Sequence, residues 1–274
     1  MDFVKVEGCG NDFVCVLEGA RWLEDASRLA RAICDRERGI GADGLMLLLD
    51  SDDADARMVF VNPDGTESAT CGNALRCAAM LVAQRLQRRT LRIQSGGEAR
   101  TCAVLEDNGA IARVRVSMGL ARLERGLVPM VGPAGRAIDE PMAIGGESLR
   151  ITALSLGNPH CVLFVPDVNT ADVQRLGALI ERDPRFPQRT NVEFVEVLSR
   201  TQLRQRTFER GVGETKACGS GACASVIAGV LTGRTERNAS VELQGGMLEV
   251  AWPSEHAEVL LTGPVRRDFT GRWH

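Results

Sequence analysis

The chain has 274 residues, of which 44% are hydrophobic and 25% charged, and a formal net charge of −3. This is enough for one large domain or two moderate ones with a proper core, in the composition range of an ordinary soluble globular protein. It lacks the basic field that nucleic acid binding requires, any run approaching a membrane span, and, at Met1-Asp2-Phe3-Val4-Lys5, the start of a secretion signal.

Nine cysteines without such a signal point to a reducing, cytoplasmic setting and to thiols rather than disulfides. No two of them form a Cys-x-x-Cys pair and only three histidines are present, so no metal site is expected. Lys5 and Lys216 are the only lysines, and neither lies beside a phosphate-cradling glycine loop. An organic cofactor of the pyridoxal type is therefore not expected.

In chain order, Lys5 stands at the start of a strand, and Leu23, Ala26, Leu29, Ala30, Ile33 and Cys34 fall at helical spacing. Short strands are predicted over 45–49 and 57–61. A helix follows Cys71, with Leu75, Ala78, Leu81, Val82 and Leu86 on one face, and then strands over 90–94, 100–106 and 111–117. Residues 120–146 are rich in Gly and Pro and weakly patterned, and read as a linker.

Beyond it, Val173, Leu176, Leu179 and Ile180 predict a helix capped at Asn169 or Thr170. Strands are predicted over 192–198 and 202–208. A helix after Cys218 carries Ala224, Val226, Ile227 and Val230 and is stopped by Gly233. The final strands are predicted over 241–244, 247–252 and 259–262.

The two halves repeat one another. Gly10-Asn11-Asp12-Phe13-Val14-Cys15 resembles Gly157-Asn158-Pro159-His160-Cys161-Val162, and Cys71 and Cys218 each lie 60 positions after the asparagine of that stretch. Both cysteines sit in Glu-x-x-x-Cys-Gly, begun by Glu67 and Glu214, and Gln94-Ser95-Gly96-Gly97 matches Leu243-Gln244-Gly245-Gly246 as a turn between strands. The expected fold is α/β (α+β) with two pseudo-symmetric halves. Each half is a curved, mostly antiparallel sheet or barrel around a central helix, and the active site lies in the cleft between them. The expected boundaries are 1–118, carrying Cys71, and 119–274, carrying Cys218, with the last ~10 residues able to pack back on the N-terminal half.

Abstracting an α-proton from an amino acid without a cofactor requires stabilisation of the charge that builds on the carboxylate. Backbone N–H groups at helix N-termini supply it, and the same positive ends are expected to lower a thiol pKa. Two cysteines, each opening a helix, would then act as thiolate base and thiol acid on opposite faces of one carbon, titrating as a coupled pair. An isolated cysteine is more often structural; a matched pair in duplicated motifs favours catalysis, and the other seven read as packing.

Asn11, Asn62, Asn158 and Asn191 fall at or near equivalent positions of the two halves and suit a zwitterionic ligand, though each could equally cap a turn. Glu209-Arg210 could grip a second amino-acid terminus or form a surface ion pair. His160 is placed to tune a thiol, Asp64-Gly65 reads as a turn, and His256 and His274 read as surface residues.

Taken together, Gly8-Cys9-Gly10-Asn11-Asp12-Phe13, Asn62-Pro63-Asp64-Gly65, Cys71-Gly72-Asn73, Gly157-Asn158-Pro159-His160, Arg189-Thr190-Asn191, Glu209-Arg210-Gly211 and Ala217-Cys218-Gly219-Ser220-Gly221 resemble the diaminopimelate epimerase family from end to end. The resemblance implies cofactor-independent epimerisation of LL-2,6-diaminopimelate to the meso form in lysine biosynthesis, by a homodimer that closes over its small-molecule substrate. It implies Cys71 and Cys218 as acid and base, and Gly72, Asn73, Gly219 and Ser220 around the reacting carboxylate. Asn11, Asn62, Asn158, Asn191, Glu209 and Arg210 would hold substrate, and His160 and Glu209 would adjust the thiols.

The chain departs from the family pattern at Ala74, often glycine, at Cys9, more often Leu or Ala, and at Gly44, frequently Gln. The rival on the same scaffold is a racemase of another amino acid such as proline. From a different class, a thiol redox or metal-binding protein would use the two cysteines as a switch, and oxidation could in principle join them.

Overall fold

The computed structural model describes residues 1–68 and 71–274; Ala69 and Thr70, inside the first cysteine motif, lie outside the described residues. The chain divides into two compact units, Met1–Ser117 with Thr262–His274, and Met118–Leu261.

The first unit runs β1 (Asp2–Gly8), β2 (Asn11–Val16), α1 (Ala26–Ile33), β3 (Gly44–Leu49), β4 (Ala56–Val61), β5 (Glu67–Ser68), α2 (Gly72–Leu86), β6 (Thr90–Ser95), β7 (Glu98–Asp107) and β8 (Ile111–Ser117). The second contains β9 (Ala137–Ile144), β10 (Glu147–Ser155), β11 (Pro159–Phe164), α3 (Val173–Glu181), β12 (Asn191–Ser199), β13 (Gln202–Glu209), β14 (Gly213–Thr215), α4 (Gly219–Leu231), β15 (Asn238–Leu243) and β16 (Gly246–Ala251). A long last strand, β17 (Leu260–Arg272), ends the chain within the first unit.

In the first unit β1 pairs antiparallel with β2, β2 parallel with β3, β3 antiparallel with β4, and β4 parallel with β6. The antiparallel pairs β6–β7 and β7–β8 follow, and β17 joins β8 to β1, which closes an eight-stranded barrel. Among the described residues, closure gives each of these eight strands a partner on both sides.

The barrel is filled by α2, which packs on β1, β2, β3, β4, β6, β7 and β8. Every residue from 72 to 83 is buried. The single apolar stripe expected from the sequence is therefore part of a surface buried all round, polar only at Asn73 and Arg76, as enclosure by sheet requires, and Leu86, expected on that stripe, is 38% exposed beyond the barrel. By contrast α1 buries only Ala26, Ala30 and Ile33, against β3 and β4 on the outside.

The second unit repeats this connectivity. β10–β11 is antiparallel, β11–β12 parallel, β12–β13 antiparallel, β13–β15 parallel and β15–β16 antiparallel, with α4 packed against β10, β11, β12, β13, β15 and β16. Phe13 pairs with Gly44 where His160 pairs with Asn191, and each residue of the second pair lies 147 positions after its counterpart. This register corrects one expectation. Asn11 and Asn158 are equivalent, but the counterpart of Asn191 is Gly44, and that of Asn62 is Glu209.

Two other expectations need correction. The 120–146 linker carries β9, which pairs antiparallel with β10 and buries Ala137 and Met142. Its pattern was obscured by Pro141, which sits exposed on the strand, where the missing N–H is tolerated. The cap of α3 is Asp172, whose side chain accepts from the Arg175 N–H, rather than Asn169 or Thr170.

Candidate active site

Each cysteine of the duplicated motif is the residue before the first turn of its unit's buried helix. Cys71 precedes α2 with φ −131° and ψ 108°, and Cys218 precedes α4 with φ −122° and ψ 107°. At Cys218 this extended conformation turns the side chain toward an N–H of the first helical turn. The Cys218 Sγ accepts the Gly221 N–H at 3.3 Å and lies 3.6 Å from the Ser220 hydroxyl. The seven other cysteines are buried.

Around Cys218 a chain of polar side chains leads back into the sheet. The Asn158 amide donates to the Ser220 Oγ at 3.3 Å, and the Asn158 Oδ1 lies 3.1 Å from the His160 Nε2. The His160 Nδ1 lies 2.8 Å from the Glu193 Oε1, and both side chains are fully buried. A Cβ at Gly221 would stand 2.8 Å from the same Glu193 oxygen, so the carboxylate rests against the first turn of α4 and only glycine fits there.

The expectation that the helix terminus would leave Cys218 with a lowered pKa is overturned. Burial pushes its thiol well above the usual range, and the charges of Glu209 and Glu193 add to the rise against the hydrogen bonds from Ser220 and Gly221. Glu209 is itself raised, first by burial, against a hydrogen bond from the Thr215 hydroxyl.

The first unit holds the matching arrangement in different residues. The Asn73 amide donates to the Asn11 Oδ1 at 2.7 Å, the Asn11 amide donates to Asp43 at 3.1 Å, and the buried Arg76 donates to the Asn73 Oδ1 at 2.8 Å. Behind them Asp12 pairs with Lys5 at 2.6 Å and with Arg36 at 2.7 Å. Burial raises the Asp12 carboxyl, but the hydrogen bonds from Arg36 and Lys5 outweigh it and bring it down to about 2.

Cys9 and Gly10, both at positive φ, make the two-residue turn between β1 and β2 that presents Asn11. At Gly44 a Cβ would stand 2.4 Å from the Phe60 ring, which packs edge-on against Phe13. The aromatic pair thus occupies the space of a larger side chain. Ala74 is fully buried in the first turn of α2.

The remaining expected residues are engaged locally. The Asn62 amide donates to the Thr66 Oγ1 at 3.0 Å, within the turn from β4 to β5. Asn191 spends both ends of its amide on backbone, donating to the Pro159 carbonyl at 2.9 Å and accepting the Arg210 N–H at 3.0 Å. It thereby ties the start of β11 to the segment after β13. The Arg210 side chain is exposed and donates to the Gln188 carbonyl at 3.2 Å.

Sequence reasoning did not single out two buried carboxylates. Glu193 adjoins His160, and Glu181 accepts the Gly211 N–H at 2.9 Å and an Arg189 N–H at 3.4 Å. Glu193 left one signal, an acid inside the apolar run Val192-Glu193-Phe194-Val195. Among the described residues no group of three His, Cys, Asp or Glu side chains is placed to hold a metal ion, and no helix is long and apolar enough to cross a membrane.

The fold is shared with known structures: that of a probable proline racemase from Agrobacterium radiobacter K84 superposes with a TM-score of 0.72 at 15% identity, covering 100% of this chain and 92% of the other. At the level of sequence, the family described as diaminopimelate epimerase matches over residues 3–124 and 152–267. The diaminopimelate epimerase of Desulforudis audaxviator is 49% identical over 280 residues, covering 100% of this chain and 99% of the relative, and that of Pelotomaculum thermopropionicum is 46% identical with the same coverage. The chain belongs to the diaminopimelate epimerase family and is an isomerase.

Proposed function

We propose that the chain epimerises LL-2,6-diaminopimelate to the meso form without an organic cofactor, with Cys71 and Cys218 as its acid/base pair. The full-length likeness to relatives named diaminopimelate epimerase supports the substrate. The observation that carries the chemistry is the pair of cysteines at one and the same cap position, with nearly equal backbone angles, in duplicated motifs.

One thiolate takes the α-proton and becomes a thiol, while the opposite thiol gives its proton to the other face and becomes a thiolate. No proton is gained or lost overall, and the reverse direction exchanges the two roles. Burial favours the neutral form of Cys218. The N–H groups of the first turns of α2 and α4, at Gly72, Asn73, Gly219 and Ser220, stabilise the charge that builds on the reacting carboxylate. Asn11 and Asn158 orient the substrate, and Arg210, exposed beside Glu209, pairs with the distal carboxylate. Asn62 and Asn191 contribute by shaping the loops that hold these groups, and His160 and Glu209 adjust Cys218.

The protein is a cytoplasmic homodimer in this reading, on the strength of the family resemblance and its nine cysteines, and sedimentation of the purified chain checks the dimer. The central test follows LL-diaminopimelate in D₂O, measuring meso product and deuterium at one α-carbon. Serine at either cysteine is expected to abolish product. Full turnover by either variant refutes the two-thiol reading. A racemase of proline would turn over its own substrate and be indifferent to Arg210→Ala, whereas diaminopimelate turnover is expected to fall.

A further inference from the structure

His160 is a fully buried ring set between two oxygens, the Glu193 Oε1 at its Nδ1 and the Asn158 Oδ1 at its Nε2. A ring nitrogen facing an amide oxygen must carry hydrogen, so Nε2 is a donor. The other nitrogen and the carboxylate are 2.8 Å apart and must have a proton between them. The surroundings of Glu193 demand this. Its Oε2 is buried with no hydrogen-bond partner among the described residues, and a buried carboxylate without a neutralising neighbour is very costly.

The Nε2 hydrogen then dictates the rest of the chain. It occupies the Asn158 Oδ1, which leaves the Asn158 amide to donate to Ser220. With its oxygen accepting that bond, the Ser220 hydroxyl is left to point its hydrogen at the Cys218 Sγ, 3.6 Å away, alongside the Gly221 N–H. Every donor in the series points toward the sulfur, which is the arrangement a thiolate needs. The titratable groups facing Cys218 are Glu193 from β12, Glu209 from β13 and, through Asn158 and Ser220, His160 from β11.

We propose that Glu193 is a positioning residue that fixes His160 with hydrogen on Nε2 and a shared proton at Nδ1, and thereby sets the direction of the hydrogen-bond chain that ends on Cys218. This rests on the reading of Cys218 as a catalytic thiol. It adds that the polarity of its environment is decided by a carboxylate two side chains beyond the asparagine, with no contact to substrate.

The test needs no diaminopimelate, so its failure is distinct from failure of the epimerase reading. With only three histidines in the chain, ¹⁵N-labelled histidine resolves His160 in the wild-type protein. Its Nε2 is expected to carry hydrogen, and a bare Nε2 overturns the proposal. Alkylation of Cys218 by iodoacetamide as a function of pH, in Cys71→Ser protein, supplies the second reading.

Glu193→Met and Glu193→Gln both lose the carboxylate charge that raises the Cys218 thiol, but only Glu193→Met leaves Nδ1 without a donor, and its alkylation midpoint is expected about one unit above that of Glu193→Gln, roughly a tenfold slower rate at neutral pH. Glu193→Gln can still donate to Nδ1 and keep hydrogen on Nε2, so its midpoint is expected at or below that of the wild type, and a midpoint above it overturns the proposal. Equal midpoints in the two variants overturn the directional role. Should Glu193→Met fail to fold, the state of the wild-type ring and the Glu193→Gln midpoint decide the matter.

Discussion

Gly221→Ala sets two physical effects against each other at the second cysteine motif. In the first turn of a helix, alanine is favoured over glycine by up to about 1 kcal/mol. Here the added Cβ would lie 2.8 Å from the Glu193 Oε1, 3.0 Å from the Gln205 Nε2 and 3.2 Å from the Cys218 Cβ. None of these can retreat cheaply. Glu193 is fully buried and held by His160, and Gln205 is buried and hydrogen-bonded to both Thr207 and Ser225. Overpacking a filled core costs about 1–3 kcal/mol, and the rigid polar contacts place this site near the upper end. The net expectation is a loss of about 2 kcal/mol, or roughly 4–8 °C in Tm for a chain of this size. Thermal unfolding followed by circular dichroism measures it. A Tm equal to or above that of the wild type would refute the claim that Glu193 is packed rigidly against the helix start.

In the first unit, Gly44→Gln forces the Phe60 ring from its position and is expected to cost about 1–3 kcal/mol. Adding Phe60→Leu should recover part of that loss, and a double-mutant cycle in urea showing strict additivity would contradict the steric account. Asp12 illustrates a pH effect. Its carboxyl is depressed from 3.8 to about 2 on folding, so the stability it contributes is fully present above the unfolded value and is lost as pH falls through that interval. Asp12→Asn protein should therefore show a flatter acid-unfolding curve between pH 4 and 2, and a curve parallel to the wild type would exclude the Lys5 and Arg36 pairings as its cause.

Much of the site was legible in the sequence because the chain says the same thing twice. The recurrence of Glu-x-x-x-Cys-Gly before an apolar segment, at a constant distance from an asparagine, identified Cys71 and Cys218 and placed each at the start of a helix. Local chemistry sufficed there, since capping and small residues act within one turn. The strand pattern was legible for the same reason wherever alternation was strong. It failed at β9, where Pro141 and exposed polar residues mask a strand that exists only because β10 pairs with it.

What folding alone decided is what depends on residues distant in sequence. The parallel pairing of β11 with β12 brings Glu193 to His160 across 33 positions and turns an unremarked acid into the end of the chain leading to Cys218. Packing decided the state of that thiol as well. A helix terminus seen in sequence implies a lowered pKa, but enclosure by the surrounding strands removes water from the sulfur, and desolvation outweighs the donors at the helix end. The hydrogen-bond partners of Asn191, the clearance at Gly44 and the closure of the first barrel by β17 were settled by tertiary contacts too. A residue type announces what it is able to bond, but its neighbours in space determine which bond it makes.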